Sequence, residues 1–200
     1  MLTSTGLLEP TPRESLRRRK PLVPNTIFAT SVFVITEVMF FVALISAFVI
    51  IKSNYAVWSP PSGVVLPIAT TAFNTGVLFL SGIMLYFVGR AVKDKKDKTK
   101  VENLLLATMA LGLFFVMVQG YEWVNLIRYG MTLSGSVFGA CFFLLIGAHA
   151  IHAFSAVLAM VYVYRIVASG EIKLEHIYSM QIFWYFIVGI WPVLYKMVYF

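Results

Sequence analysis

The stretch NTIFATSVFVITEVMFFVALISAFVII, Asn25–Ile51, holds one charged residue, Glu37, in an otherwise uncharged and mostly apolar run. A membrane-crossing helix needs about 20 such residues. A charge at the bilayer centre costs about 2.5–3.5 kcal/mol on insertion scales. Glu37 is therefore predicted to face protein or bound lipid and to have a partner. A second run, Ser136–Tyr164, contains no charged residue but holds His149 and His152. The same argument applies to both imidazoles.

The whole chain has this character. Its 200 residues are 60% hydrophobic and only 12% charged, with a mean hydropathy of +0.83. Soluble domains average about 25% charged residues, so an integral membrane protein is expected. The net charge of +7 does not point to nucleic acid, because the basic residues flank the apolar runs, where they set membrane orientation. Cys141 is the only cysteine. It excludes an internal disulfide, and no Cys/His spacing suited to structural zinc is present.

Five spans are predicted, at about 26–51, 67–90, 103–127, 136–165 and 177–199, each sufficient to cross roughly 30 Å at 1.5 Å per residue. Residues 1–24 read as a polar, basic cytoplasmic arm, and residues 25–200 as the membrane domain. With the N-terminus inside, the cytoplasmic side holds thirteen Lys/Arg and the outside only Lys52, Arg128 and Lys196. That asymmetry predicts a cytoplasmic N-terminus and a periplasmic C-terminus. The segment Lys93–Lys100 (KDKKDKTK) reads as a solvated turn that helps set orientation. Trp58 and the prolines of the loop Ser53–Leu66 suit an irregular outer connection at the interface. No internal repeat suggests an inverted-repeat transporter. The fold class is all-α, an integral membrane bundle of five transmembrane helices.

Helical rise places the intramembrane polar groups. Glu37 lies about 21 Å from the outer end of its span, and His149 and His152 roughly 20–24 Å from theirs. These three share a level. Asn74, Gln119 and Glu122 lie nearer the outer surface, within about 7–12 Å by the same rise. His149 and His152 are spaced i, i+3 and occupy one helix face. Two readings stand: a metal or haem ligand pair, or hydrogen-bonding residues within the bundle. Glu37 suits a proton carrier, a lipid-cleft residue or a buried structural acid. No phosphate loop, nucleophile elbow or HExxH motif occurs, and no catalytic constellation is evident.

The motifs together resemble subunit III of the haem-copper terminal oxidases, in the five-helix form of bacterial cytochrome c and quinol oxidases. Glu37-Val38-Met39-Phe40-Phe41 is similar to the family's E-[VL]-[ML]-F-F element. Trp58-Ser59-Pro60-Pro61-Ser62-Gly63 is similar to its W-P-P-x-G loop, and Pro67 with Asn74-Thr75 to its P…N-T signature. Gln119-Gly120-Tyr121-Glu122-Trp123 resembles Q-x-x-E-[YW], and Gly147-Ala148-His149-Ala150-Ile151-His152 resembles G-x-H-x-x-H. The ending Phe183-Trp184-Tyr185-Phe186 with Trp191 and Tyr195 is similar to [FY]-W-H-F…W…Y. Tyr185 and Val188 stand where the family has a histidine and an aspartate, and Pro192 interrupts the last span.

The resemblance implies a non-catalytic accessory subunit of a respiratory oxidase in the bacterial inner membrane. Haem and copper would belong to the partner subunits, with none in this chain. Subunit I would be the principal partner. Bound phospholipid would occupy a groove between the first two helices and the rest, and the subunit would sustain proton uptake and stability of subunit I. Glu37 corresponds to the family's carbodiimide-reactive carboxyl. Glu37, Trp58, Asn74, Gln119, Glu122, His149 and His152 would line the groove or form the buried polar set. The alternatives are an accessory subunit of a nitric oxide reductase or other respiratory complex, and a stand-alone membrane haem protein or transporter.

Overall fold

The computed structural model describes residues 24–61, 63–170 and 172–200, and the predicted arm lies outside them except for Pro24. Among the described residues all regular structure is helical. The helices are α1 (Asn25–Ser53), α2 (Ile68–Lys93), α3 (Lys98–Arg128), α4 (Val137–Ala168) and α5 (Leu174–Tyr199). Each is long and apolar enough to cross a membrane. In lipid every backbone group must be satisfied within its segment, which is why such runs become helices.

Helix ends overrun the expected spans where polar residues can stay helical in water. α3 begins at Lys98, whose ammonium pairs with Glu102 at 3.5 Å and reaches the Ala168 carbonyl at 2.6 Å. That second contact caps the end of α4 with a cation, the sign its dipole favours. The tight turn between α2 and α3 closes α2 with paired bonds from Lys95 N–H to Val92 and Lys96 N–H to Ala91. The closure places Lys95 at φ 50, a position usually given to glycine. At the start of α4, the Ser136 hydroxyl accepts from the Gly139 N–H at 3.0 Å, an N-cap.

α5 is the hub. It packs on α1, α2 and α4, and its tryptophans reach α3: Trp191 meets Phe115 edge-on at 5.2 Å. α2 packs most extensively on α3, and α3 on α4. α1 and α5 run parallel and side by side, although they are the first and last helices of the bundle. They join towards their N-terminal ends through Phe33 and Phe183 at 5.5 Å, and towards their C-terminal ends through Lys52 and the Met197 carbonyl at 3.5 Å. α1 is peripheral and buries only Phe41 and Phe48.

This arrangement corrects one expectation. α1 and α2 do not form a pair set off from the rest, since α1 rests on α5 and α4 while α2 rests on α3 and α5. The reason lies in the interface residues. Without a hydrophobic force between helices in lipid, contact depends on close packing and hydrogen bonds. α2 carries Asn74, Ser81 and Gly89, all buried against α3 or α5. Gly89 leaves room for the Gln181 amide, which a Cβ there would strike. That amide donates to the Leu85 carbonyl at 2.7 Å. α5 continues as a helix through Pro192. Val188 packs beside Gly82, and Tyr185 is exposed.

Candidate functional site

The deep polar residues meet on α1 and α4. Glu37 Oε2 lies 2.8 Å from His152 Nε2. The other ring nitrogen, Nδ1, lies 2.6 Å from the Ala148 carbonyl on the same helix. A carbonyl can only accept, so Nδ1 carries a hydrogen. Nε2 then either accepts from a protonated Glu37 or donates to its carboxylate. In both cases one proton lies between the two side chains and the pair has no net charge. That neutrality is what a lipid-immersed acid requires. The two side chains are only 17% and 18% exposed. Phe40 and Phe41 flank the imidazole at ring distances of 6.0 and 5.2 Å.

His149, one helical turn away, behaves differently. It is 1% exposed and stacks on Trp191 at 4.8 Å, with Phe41 and Phe115 edge-on. Neither of its nitrogens has a hydrogen-bond partner among the described residues. The two histidines share a helix face and the Phe41 ring but no hydrogen-bond partner. Both nitrogens of His152 are engaged, and no three His, Cys, Asp or Glu side chains cluster among the described residues.

The remaining polar set divides by location. Asn74 Nδ2 donates to the Phe115 carbonyl at 3.0 Å and ties α2 to α3. Gln119 Nε2 lies 3.2 Å from the Tyr199 hydroxyl, linking α3 to α5. Glu122 lines a cleft of about 500 Å³ at the C-terminal end of α3, with Asn125, Tyr129, Pro67 and Thr70. Trp58 is wedged among Phe48, Tyr55 and Phe138, at the C-terminal end of α1 and the N-terminal end of α4. The structure thus joins Glu37 to His152 and leaves Trp58 and Glu122 apart from that pair. Gln119 and His149 line one pocket between α3 and α4.

Several polar ties escaped the reading by motif. Trp184 Nε1 donates to the Ser81 hydroxyl at 3.0 Å, and Trp191 Nε1 to the Thr75 hydroxyl at 2.8 Å. Gln181 holds α5 to α2. Each is a polar side chain within an apolar span, and that is the signal that could have found them. A second cleft of about 240 Å³ opens between the N-terminal parts of α1 and α5 and the C-terminal half of α4. Phe33, Tyr162, Met180 and Phe183 line it with His176 and Ser179.

Comparison with known proteins agrees with the motifs and the architecture. The chain is 27% identical over 172 residues to a cytochrome c oxidase subunit 3 of Thermostichus vulcanus, covering 84% of this chain and 83% of that one. It is 28% identical over 181 residues to a probable cytochrome c oxidase subunit 3 of Mycobacterium leprae, covering 88% and 89%. It is also 27% identical over 176 residues to a cytochrome c oxidase subunit 3 of Rhipicephalus sanguineus, covering 84% of this chain and 67% of that one. The family model for cytochrome c oxidase subunit III matches residues 22–200, which takes in all five helices. With that span matched from end to end, the chain belongs to the cytochrome c oxidase subunit III family.

Proposed function

We propose that the chain is a non-catalytic accessory subunit of a haem-copper terminal oxidase in a bacterial inner membrane, packed on subunit I. The observation that carries this reading is the 2.8 Å Glu37–His152 contact between α1 and α4, in a chain whose family match spans the whole bundle. One shared proton in a partly exposed site suits a role beside a proton-consuming partner. No redox centre in this chain is needed for it. Oxygen reduction belongs to partner subunits that hold haem and copper. This subunit sustains their proton uptake and their stability during turnover.

Phospholipid is the second part of the proposal. The apolar cleft at the inner ends of α1, α4 and α5 supports an acyl chain site, with His176 and Ser179 at its polar edge. The peripheral position of α1 leaves this cleft open to the bilayer. The N-terminus faces the cytoplasm and the C-terminus the periplasm, a topology that the distribution of Lys and Arg supports.

The test is purification through a tag on this chain in mild detergent. Haem and copper should co-purify with a subunit I, and the isolated chain should show no haem spectrum. Stoichiometric haem in the isolated chain would overturn the accessory reading. Co-purification with a nitric oxide reductase core, or another respiratory complex, would overturn the assignment to an oxidase.

A further inference from the structure

We infer that the cleft between α2 and α5, beside the α2–α3 turn, binds the phosphate of an anionic phospholipid, at a site separate from the acyl-chain cleft beside α1. The cleft measures about 330 Å³, with Tyr86, Arg90, Lys93, Asp94, Tyr178 and Gln181 in its wall. α2 and α5 run antiparallel, since Gln181 meets Leu85, Trp184 meets Ser81 and Trp191 meets Thr75. The last turns of α2 therefore face the first turns of α5. Ile83, Tyr86 and Arg90 follow one another at i, i+3 and i+7 on α2, and Tyr178, Gln181 and Tyr185 do the same on α5. Such spacing places each set on one helix face. Gly89 brings no side chain into the space, and the Gln181 amide lies against its bare backbone.

The depth suits a headgroup. Ile68–Gly89 contains no charged residue and rises about 33 Å, close to the roughly 30 Å of hydrocarbon. Arg90 is thus the first charge of α2 beyond the apolar layer, and the two tyrosines stand in the belt where phenols meet headgroups. Asp94, the one acid in the wall, touches Arg90 only through Nε at 3.8 Å, with the side chains 65% and 45% exposed. A pair so long and so exposed is weak. It leaves the terminal guanidinium nitrogens without an ion-pair partner among the described residues, and Lys93 has none there either. Two cations against one acid leave the wall positive. Lys96 and Lys100 add to this from an adjoining cleft that shares Arg90 and Asp94. The last carbonyls of α2, the negative end of its dipole, are taken by the N–H groups of Asp94, Lys95 and Lys96. A guanidinium, an ammonium and two phenols can all donate, so the occupant must accept at several points, as phosphate oxygens do. On the membrane side Ile83, Tyr86 and Tyr185 are exposed. An acyl chain covers such a seam and a free phosphate does not. A choline headgroup would set its own cation against Arg90 and Lys93. Basic pockets between membrane helices are known sites of anionic headgroups.

The experiment is native mass spectrometry of the complex purified through a tag on this chain, titrated in detergent with phosphatidylglycerol, phosphatidylcholine or inorganic phosphate. The wild type should hold one phosphatidylglycerol more than the Arg90→Gln/Lys93→Gln variant, and affinity at that site should fall about 30-fold on losing two cations. The charge-matched control Arg128→Gln/Lys196→Gln should keep the wild-type count. Phosphatidylcholine should bind both complexes alike, and excess inorganic phosphate should not displace the anionic lipid. Equal phosphatidylglycerol counts in wild type and variant, or an equal loss in the control, would overturn the inference. So would a matching loss of phosphatidylcholine, which marks a groove blind to headgroup charge, or displacement by phosphate, which marks a site for the soluble anion. Should the variant fail to assemble, a density map of the wild-type complex in phosphatidylglycerol nanodiscs decides. Phosphate density within about 2.7–3.2 Å of the Arg90 or Lys93 nitrogens is expected, with acyl density running past Tyr86. An acidic side chain of a neighbouring subunit on these cations, or an empty cleft where other lipids are resolved, would overturn it.

Discussion

Glu37 Oε2 of α1 and His152 Nε2 of α4 lie 2.8 Å apart, and the second nitrogen of His152 is anchored to the Ala148 carbonyl. The anchoring fixes the ring tautomer, so the pair is neutral whichever group holds the proton. α1 makes few backbone approaches to α4. This hydrogen bond is therefore a principal polar tie between the peripheral helix and that part of the bundle.

A double-mutant cycle measures that tie. Glu37→Leu, His152→Leu and the double variant should give a coupling energy of about 0.6–1.7 kcal/mol, the range found for interhelical hydrogen bonds in membranes. Thermal unfolding of the purified complex reports it. A coupling near zero would show that the two groups stabilise the bundle independently.

Glu37→Gln keeps the side-chain shape, and its amide can still donate to His152. Assembly should be normal. Carbodiimide reacts with protonated carboxyls, so labelling at residue 37 should disappear while the haem spectra of the complex stay unchanged. Mass spectrometry of labelled peptides checks the first outcome and visible absorption the second. Loss of haem signal in a fully assembled complex would contradict an accessory role.

Gly112 of α3 lies under the Trp184 ring of α5. A Cβ there would stand 2.9 Å from Cη2, and the indole is 0% exposed and tied to Ser81. The ring cannot yield without losing that hydrogen bond. Gly112→Ala should therefore destabilise by about 1–3 kcal/mol, the usual effect of overpacking. Gly76→Ala is the control, because its Cβ meets nothing within 4 Å. It should be neutral or stabilising by up to about 1 kcal/mol through helix propensity. Midpoints of thermal unfolding should rank the two variants in that order.

Lys95 closes the α2–α3 turn at φ 50. A residue with a Cβ in the left-handed region pays roughly 1–2 kcal/mol. Lys95→Gly should raise stability by about 1 kcal/mol, read as a higher unfolding midpoint with no change in oxidase activity. Unchanged or lower stability would place the closure of α2 elsewhere than in this turn.

The same turn reports orientation. Cys141 is buried, so the wild-type chain offers little background to thiol reagents. Lys96→Cys should react with a membrane-impermeant maleimide in inverted membrane vesicles and stay unlabelled in intact spheroplasts. The reverse pattern would invert the proposed topology.

Five membrane helices were legible in the sequence, because in lipid an uncharged run of this length has no other way to satisfy its backbone. The run Asn25–Ile51 shows this most plainly. Its composition alone makes it a helix, and Glu37 within it demands a partner. The shared depth of Glu37 and the two histidines followed from helical rise. Which histidine would answer the acid did not, since that depends on how α1 and α4 are rotated about their axes.

The tertiary structure decided the rest. It assigned His152 to Glu37 and turned His149 onto Trp191. It placed α5 at the centre, brought the first and last helices side by side, and separated α1 from α2. These outcomes depend on which small residues allow close approach and which polar side chains find partners across an interface. Gly89 with Gln181, Gly112 with Trp184, and Ser81 with the Trp184 indole are contacts between residues far apart in the chain. Hydropathy reports how each segment meets lipid, and that is a local property. Helix order and rotation are set by the sum of such distant contacts, and no single segment carries that information.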